Sequence, residues 1–149
     1  MDLYFLRHGE AAPDGERPLT SEGAREVARV ARWLRKHDVK PEIIFSSPLA
    51  RALQTAQLVA DTLEVPMQVE DRLACGARLE QVAELLRPLG RRARVMLVGH
   101  EPDFSDMVGE LIGGAAVELK KAGLARVECE VVGPGGGVLR WLLAPRLMD

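Results

Sequence analysis

Three short polar segments combine the residue types that bind and attack a phosphoryl group. They are Arg7-His8-Gly9-Glu10, Ser46-Ser47-Pro48-Leu49-Ala50-Arg51 and Gly99-His100-Glu101-Pro102. Two arginines can hold a phosphoryl dianion through charge-assisted hydrogen bonds. A neutral imidazole is a competent nucleophile toward phosphorus, and a second, protonated imidazole can stabilise the oxygens during transfer. The segments therefore predict a phosphate site in which Arg7, His8, Arg51 and His100 carry the chemistry.

Five neighbouring residues are further candidates for substrate binding: Gly9, Glu10, Thr20, Ser47 and Glu101. We expect Gly9 to let the backbone approach the ligand closely. The helix that opens near Pro48 is expected to add its dipole and free amides. Glu101 either orients His100 or lies at a helix N-terminus, where a carboxylate is stabilised in any case.

The apolar pattern predicts the elements that position these residues. Strands are predicted at Leu3–Leu6, Glu42–Phe45, Pro66–Val69 and Arg94–Val98, and a C-terminal hairpin at Leu124–Val132 and Val138–Leu143. Helices are predicted at about Ser21–His37 and Leu49–Leu63, and near residues 79–86 and 104–112. The inner face of the first helix is expected to carry Ala24, Val27, Ala28, Ala31 and Leu34, and that of the second Leu49, Ala52, Leu53, Ala56, Ala60 and Leu63.

Strands that alternate with helices predict an α/β fold. The expected architecture is a three-layer sandwich with a mostly parallel central sheet and an antiparallel C-terminal hairpin. Each polar segment follows the C-terminal end of a predicted strand, where ligands bind in open α/β sheets. The chain of 149 residues shows no linker or repeat, so we expect one domain over residues 1–149.

Composition argues against several other classes of protein. The net charge is −2, from 20 Lys and Arg against 22 Asp and Glu, which does not favour nucleic acid or a membrane as partner. The sequence shows no signal peptide and no apolar run near the roughly 18 residues that span a bilayer. Cys75 and Cys129 lack metal-ligand or redox-pair spacing. We therefore expect a cytoplasmic protein.

Four blocks of the sequence resemble the histidine phosphatase (phosphoglycerate mutase-like) superfamily. They are Arg7-His8-Gly9-Glu10, Arg17-Pro18-Leu19-Thr20-Ser21-Glu22-Gly23, the run from Ser46 to Ala56, and Val98-Gly99-His100-Glu101-Pro102. The resemblance implies that His8 accepts the phosphoryl group and that Arg7, Arg51 and His100 bind and stabilise it. It also implies a phosphoglycerate mutase-like fold, and neither a metal nor an organic cofactor.

Within the superfamily, the chain resembles the SixA-type phosphohistidine phosphatases. It is short, with little room for a lid between Arg51 and His100, and Asp71-Arg72-Leu73-Ala74-Cys75-Gly76 resembles their corresponding loop. Many members of the superfamily carry a general-acid Glu near the position of Cys75. A phosphohistidine has a good leaving group and can be cleaved without such an acid, although Glu70 or Asp71 remains a possible acid.

Two other functions remain open at this point. A phosphatase for small phosphate esters would use Glu70 or Asp71 as acid and would turn over esters faster than phosphohistidine. A non-catalytic module that binds phosphorylated proteins would bind phosphate without turnover. The favoured interpretation is a phosphatase that forms a phosphohistidine on His8 and acts on a phosphohistidine protein. Arg7 and Arg51 are expected to keep His8 unprotonated near neutral pH.

Overall fold

Six strands form one sheet in the computed structural model, which describes residues 1–149. The strands are β1 (Asp2–Arg7), β2 (Ile43–Ser46), β3 (Met67–Val69), β4 (Arg94–Gly99), β5 (Leu124–Cys129) and β6 (Gly137–Leu143). Their order in the sheet is β3-β2-β4-β1-β5-β6. The first four strands in this order pair in parallel, whereas β5 pairs antiparallel with both β1 and β6. The mostly parallel sheet and the antiparallel C-terminal hairpin are therefore confirmed.

Four helices cover the two faces of the sheet. They are α1 (Ser21–Lys36), α2 (Ala50–Leu63), α3 (Leu79–Leu86) and α4 (Asp103–Leu111), and short 3-10 turns lie at Asp71–Leu73 and Pro145–Leu147. Because successive strand residues face opposite sides, Tyr4 and Leu6 pack in the core with α1 and α2, whereas Leu3 and Phe5 pack with α3 and α4. The predicted three-layer α/β sandwich is confirmed. None of the four helices has the length and apolar character that crossing a bilayer requires.

The inner face of α1 differs from the predicted one. The buried residues are Gly23, Val27, Val30, Ala31 and Leu34, while Ala24 and Ala28 are half-buried. A Cβ atom at Gly23 would lie 2.2 Å from the carbonyl oxygen of Glu10, so the glycine allows the first turn of α1 to pack on the backbone after β1. With Gly23 against this backbone, Val30 lies on the buried face and Ala24 and Ala28 lie at its edges.

Two further features differ from the prediction, namely the buried face of α2 and the end of β5. On α2, Leu53 is only half-buried, and Thr55 and Val59 take its place in the core. Strand β5 ends at Cys129 rather than at Val132, because residues 130–136 fold into turns closed by the Glu130 N–H bond to Gly136 O, 3.0 Å long.

Candidate active site

The carboxyl ends of three neighbouring strands bring the three polar segments together. Strands β2, β4 and β1 are adjacent in the sheet, and Arg7 at the end of β1 is in register with Gly99 at the end of β4. The next residue, His8, donates its backbone N–H to Gly99 O, and Ser47 donates its N–H to Val98 O, each at 3.0 Å. One edge of the sheet therefore carries His8, Ser47 and His100 side by side.

His8 presents one unprotonated ring nitrogen to the site. Its side chain is 9% exposed, and its Nδ1 lies 2.7 Å from the carbonyl oxygen of Gly9. Since that oxygen can only accept, Nδ1 carries the proton and Nε2 keeps its lone pair. Burial, followed by the positive charges of Arg51, Arg7 and Arg17, lowers the pKa of His8 to about 4. Near neutral pH His8 is thus a neutral imidazole with a free Nε2.

His100 lies against His8 and is held through its other ring nitrogen. The two ring centroids are 5.3 Å apart, and His100 is 3% exposed. Its Nε2 lies 2.7 Å from the Ser47 hydroxyl, which already accepts the Leu49 N–H at 3.2 Å. Nε2 is the only acceptor within reach of the Ser47 hydroxyl proton, so we assign that proton to the bond with Nε2, and this assignment places the proton of His100 on Nδ1.

The protonation state of His100 in the free site differs from the one expected during phosphoryl transfer. Burial first, then the charges of His8, Arg51 and Arg17, lower the pKa of His100 to about 4. A neutral His100 with its proton on Nδ1 is still a hydrogen-bond donor. Its interaction with a bound dianion would favour the imidazolium and raise its pKa.

Three buried side-chain nitrogens at this edge have no hydrogen-bond partner in the protein. They are Nε of Arg7, Nε of Arg51 and Nδ1 of His100, and no other buried side-chain nitrogen or oxygen is unpartnered. A buried polar group without a partner costs about 1–3 kcal/mol of stability. All three are donors and belong to residues that flank His8. The arrangement suits a tetrahedral oxyanion placed beside Nε2 of His8.

Gly9 allows the backbone after β1 to pack closely against α1. A Cβ atom at this position would lie 2.7 Å from Cγ2 of Val27 and 3.1 Å from the carbonyl oxygen of Gly23. Its N–H donates to the Thr55 hydroxyl at 3.1 Å, and that hydroxyl donates to Arg51 O at 2.8 Å. Thr55 therefore joins the backbone next to His8 to the first turn of α2, where Arg51 lies.

Three other residues expected to bind substrate are occupied within the protein. The Thr20 hydroxyl accepts the Gly23 N–H as the N-cap of α1 and donates to Oε1 of Glu10, both at 3.0 Å. Ser47 is fully buried and holds the ring of His100. Thr20, Ser47 and Oε1 of Glu10 therefore shape the site through hydrogen bonds within the protein.

Glu101 takes the second of its two expected roles, because it lies at the N-terminus of α4 and accepts a backbone N–H of the first turn. Its Oε1 accepts the Ser105 hydroxyl at 2.6 Å, and its Oε2 accepts the Ser105 N–H at 3.4 Å. Burial raises the pKa of Glu101, partly opposed by the hydrogen bonds from Ser105. The carboxylate binds the first turn of α4 and makes no hydrogen bond to His100.

The candidate acids Glu70 and Asp71 are poorly suited to donate a proton. Glu70 pairs with Arg72 at 2.8 and 3.0 Å, and the hydrogen bonds from Arg72 lower the pKa of Glu70. Asp71 is exposed at the start of a 3-10 turn. Instead, Cys75 is the residue of this loop that reaches the site, with its Sγ 3.7 Å from Nη2 of Arg51.

Sequence reasoning missed three residues that contribute to the site. Thr55 follows Arg51 by four residues, and this helical spacing on one face of α2 was the available signal. Arg17 is exposed and yet close enough to lower the pKa values of both His8 and His100. Ser105 is buried on α4 and nothing in its local sequence marks it.

The comparisons with known proteins agree with this geometry. The family model for the histidine phosphatase superfamily (branch 1) matches residues 3–74. The phosphohistidine phosphatase SixA of Escherichia coli is 31% identical over 155 residues, which cover 97% of this chain and 94% of SixA. An uncharacterised protein of Picosynechococcus is 37% identical over 136 residues, covering 83% of this chain and 82% of its own.

A solved structure extends the comparison to the whole fold. The structure of the protein histidine phosphatase SixA complexed with tungstate superposes with a TM-score of 0.89. The identity is 30%, and 98% of each chain is covered.

Proposed function

The chain belongs to the histidine phosphatase superfamily, and we propose on that premise that it removes the phosphoryl group from phosphohistidine on a protein, through a phosphohistidine formed on its own His8. The observation that carries the proposal is a set of three buried hydrogen-bond donors that have no partner in the protein and belong to residues that flank His8. Those donors are Nε of Arg7, Nε of Arg51 and Nδ1 of His100.

In the first step Nε2 of His8 attacks the substrate phosphorus in line. A P–N bond forms to His8 while the P–N bond to the substrate imidazole breaks. A substrate imidazole that is protonated on its other nitrogen leaves as a neutral ring, so no proton from the enzyme is needed. Arg7 and Arg51 bind the equatorial oxygens and His100 donates from Nδ1, which stabilises the charge on the oxygens during transfer.

In the second step a water molecule attacks the phosphoryl group on His8. The P–O bond to water forms, the P–N bond breaks, and the electron pair returns to Nε2. Phosphate is released, and the proton lost by water goes to solvent. The Nδ1–H bond to Gly9 O persists through both steps and holds the ring in its orientation.

One structural feature supports a protein-borne phosphohistidine as substrate. Between the end of α2 at Leu63 and the start of α3 at Leu79 the chain forms only β3 and one 3-10 turn, so this segment adds no helix over the site. A site without such an insertion suits a phosphoryl group presented on the surface of another protein.

The lack of a placed acid supports the same substrate class. Glu70 is bound to Arg72, and a thiol occupies the position next to Arg51. Proton donation to a leaving alkoxide contributes roughly 10²–10⁴-fold to ester cleavage. We therefore expect phosphohistidine to be favoured over alkyl esters by a factor of about this size.

The test compares three substrates of graded leaving group: a phosphohistidine peptide or protein, an aryl phosphate and an alkyl phosphate. We expect kcat/KM to fall in that order. His8→Ala is expected to abolish turnover and His37→Ala, a change in the remaining, exposed histidine, to leave it intact. An acid-labile, base-stable phosphoryl group should be trapped on wild type and be absent from His8→Ala.

Other outcomes point to the other functions. Faster turnover of the alkyl ester would favour a phosphatase for small phosphate esters and would contradict the phosphohistidine assignment. Phosphate binding without turnover of any of the three substrates would indicate a binding module.

As part of the proposal we place the protein in the cytoplasm, because the exposed thiol of Cys75 suits a reducing compartment.

A further inference from the structure

The Arg7 guanidinium is linked by hydrogen bonds, through the Leu119 peptide, to the buried Ser105 on α4. Nη1 of Arg7 donates to the carbonyl oxygen of Leu119 at 2.9 Å. The N–H of Leu119 donates to the Ser105 hydroxyl at 3.0 Å, and that hydroxyl donates to Oε1 of Glu101 at 2.6 Å. The hydrogen bonds thus form a chain from Glu101 through Ser105 and Leu119 to Arg7.

The orientation of the Arg7 side chain depends on this one carbonyl group. Its bond to Leu119 O is the only hydrogen bond that the guanidinium makes in the protein, and Arg7 takes part in none of the seven ion pairs. Its Nε is buried and unpartnered. A displacement of the Leu119 peptide would therefore displace the donors that Arg7 offers to an oxyanion.

The loop that carries Leu119 is bonded to β1 at its C-terminal end, where the Ala122 N–H donates to His8 O and the Arg7 N–H donates to Gly123 O, each at 3.1 Å. Residues 113–123 join α4 to β5 without regular secondary structure. The backbone of residues 116–121 makes only two hydrogen bonds to residues outside this loop, one with Ser105 and one with Arg7. The buried side chain of Leu119 sets the depth of the loop in the core. Within residues 116–121, the Leu119 N–H is the backbone group that binds α4, through the Ser105 hydroxyl.

Ser105 is well placed to act as this anchor. It lies on α4 and is 7% exposed, and Glu101 accepts its hydroxyl proton. The lone pairs of Oγ are therefore directed to the Leu119 N–H. We propose that Ser105 is a positioning residue that, by holding the Leu119 peptide, orients the Arg7 guanidinium toward the phosphoryl group. The inference rests on the proposed function, in which Arg7 binds that group.

The test measures the dissociation constant of tungstate, an oxyanion that mimics phosphate, together with kcat and KM for an aryl phosphate. Because misplacement of a binding group can cost up to about 10²-fold, we expect Ser105→Ala to weaken tungstate binding by roughly 10-fold. Ser105→Cys keeps the size of the side chain but forms weaker hydrogen bonds, and it should fall between Ser105→Ala and wild type. Val108→Ala removes buried volume from the same helix and should leave tungstate binding unchanged.

A double-mutant cycle separates positioning from general damage to the fold. In an Arg7→Ala background, Ser105→Ala should weaken tungstate binding by less than about 2-fold, since no guanidinium remains to be oriented. An equal loss in both backgrounds, or no loss in wild type, overturns the positioning role of Ser105. If Arg7→Ala itself leaves tungstate binding unchanged, it is the proposed phosphoryl site that fails. Thermal melting of each variant verifies that a folded protein is being compared.

Discussion

The two buried histidines, His8 and His100, should make folding stability depend on pH. The pKa of His8 and that of His100 are each lowered to about 4, chiefly by burial. The unfolded chain has histidine pKa values of about 6.5. Between pH 6.5 and 4 the unfolded state therefore binds protons that the folded state does not. The stability is fully present above about pH 6.5 and is lost as the pH falls toward 4.

The size of the effect follows from these pKa values. For one histidine with a pKa of about 4 when folded and about 6.5 when unfolded, lowering the pH from 7 to 5 removes about 2 kcal/mol from the free energy of unfolding. His8 and His100 together account for up to about 4 kcal/mol. This is a large share of the about 5–15 kcal/mol that is typical of a folded domain.

The assay is denaturant unfolding at pH 7 and pH 5 for wild type and three variants. His8→Gln and His100→Gln should each lose about 2 kcal/mol less than wild type over this interval. His37→Gln is the matched control, because His37 is exposed at the end of α1, and it should lose as much as wild type. The reasoning is refuted if all four proteins show the same loss, since the carboxylates contribute equally to each.

Substitutions at three further positions test the packing of Gly9, the hydrogen bond of Thr55 and the absence of a general acid at Glu70. Gly9→Ala places a Cβ 2.7 Å from Val27 and should cost about 1–3 kcal/mol in denaturant unfolding; unchanged stability would contradict the packing role. Thr55→Val leaves the Gly9 N–H without its acceptor and should lower stability by about 1–3 kcal/mol and also reduce kcat/KM, whereas Thr55→Ser should retain both. Glu70→Gln should reduce phosphohistidine kcat/KM by less than about 10-fold, because a general acid would contribute roughly 10²–10⁴-fold; a loss of that larger size would restore Glu70 as the acid.

Local sequence was sufficient for the order and type of the main elements. β1 and β4 are apolar over consecutive residues because both faces of a central parallel strand are buried. The cap of α1 is also local, since the Thr20 hydroxyl accepts the Gly23 N–H three residues later. The polar segments that follow β1, β2 and β4 were readable for the same reason, because each is a short, contiguous run placed at a strand end.

Only the tertiary structure decided which residues face a ligand and which support those that do. Gly9, Thr20 and Ser47 have the residue types of phosphate ligands, yet each is engaged by packing or by hydrogen bonds within the protein. The supports Thr55 and Ser105 act on groups distant in the sequence: Thr55 binds Gly9, 46 residues away, and Ser105 binds Leu119, 14 residues away.

The protonation states also belong to the tertiary structure. The histidine motifs determine that two imidazoles reach the site, but burial and neighbouring arginines determine that both have pKa values near 4. Desolvation depends on what the rest of the chain packs around a group, and so it cannot be read from the residues next to it. The sequence therefore determines the reactive groups, whereas the packing of α1, α2 and α4 against the sheet determines their protonation and the direction in which they point.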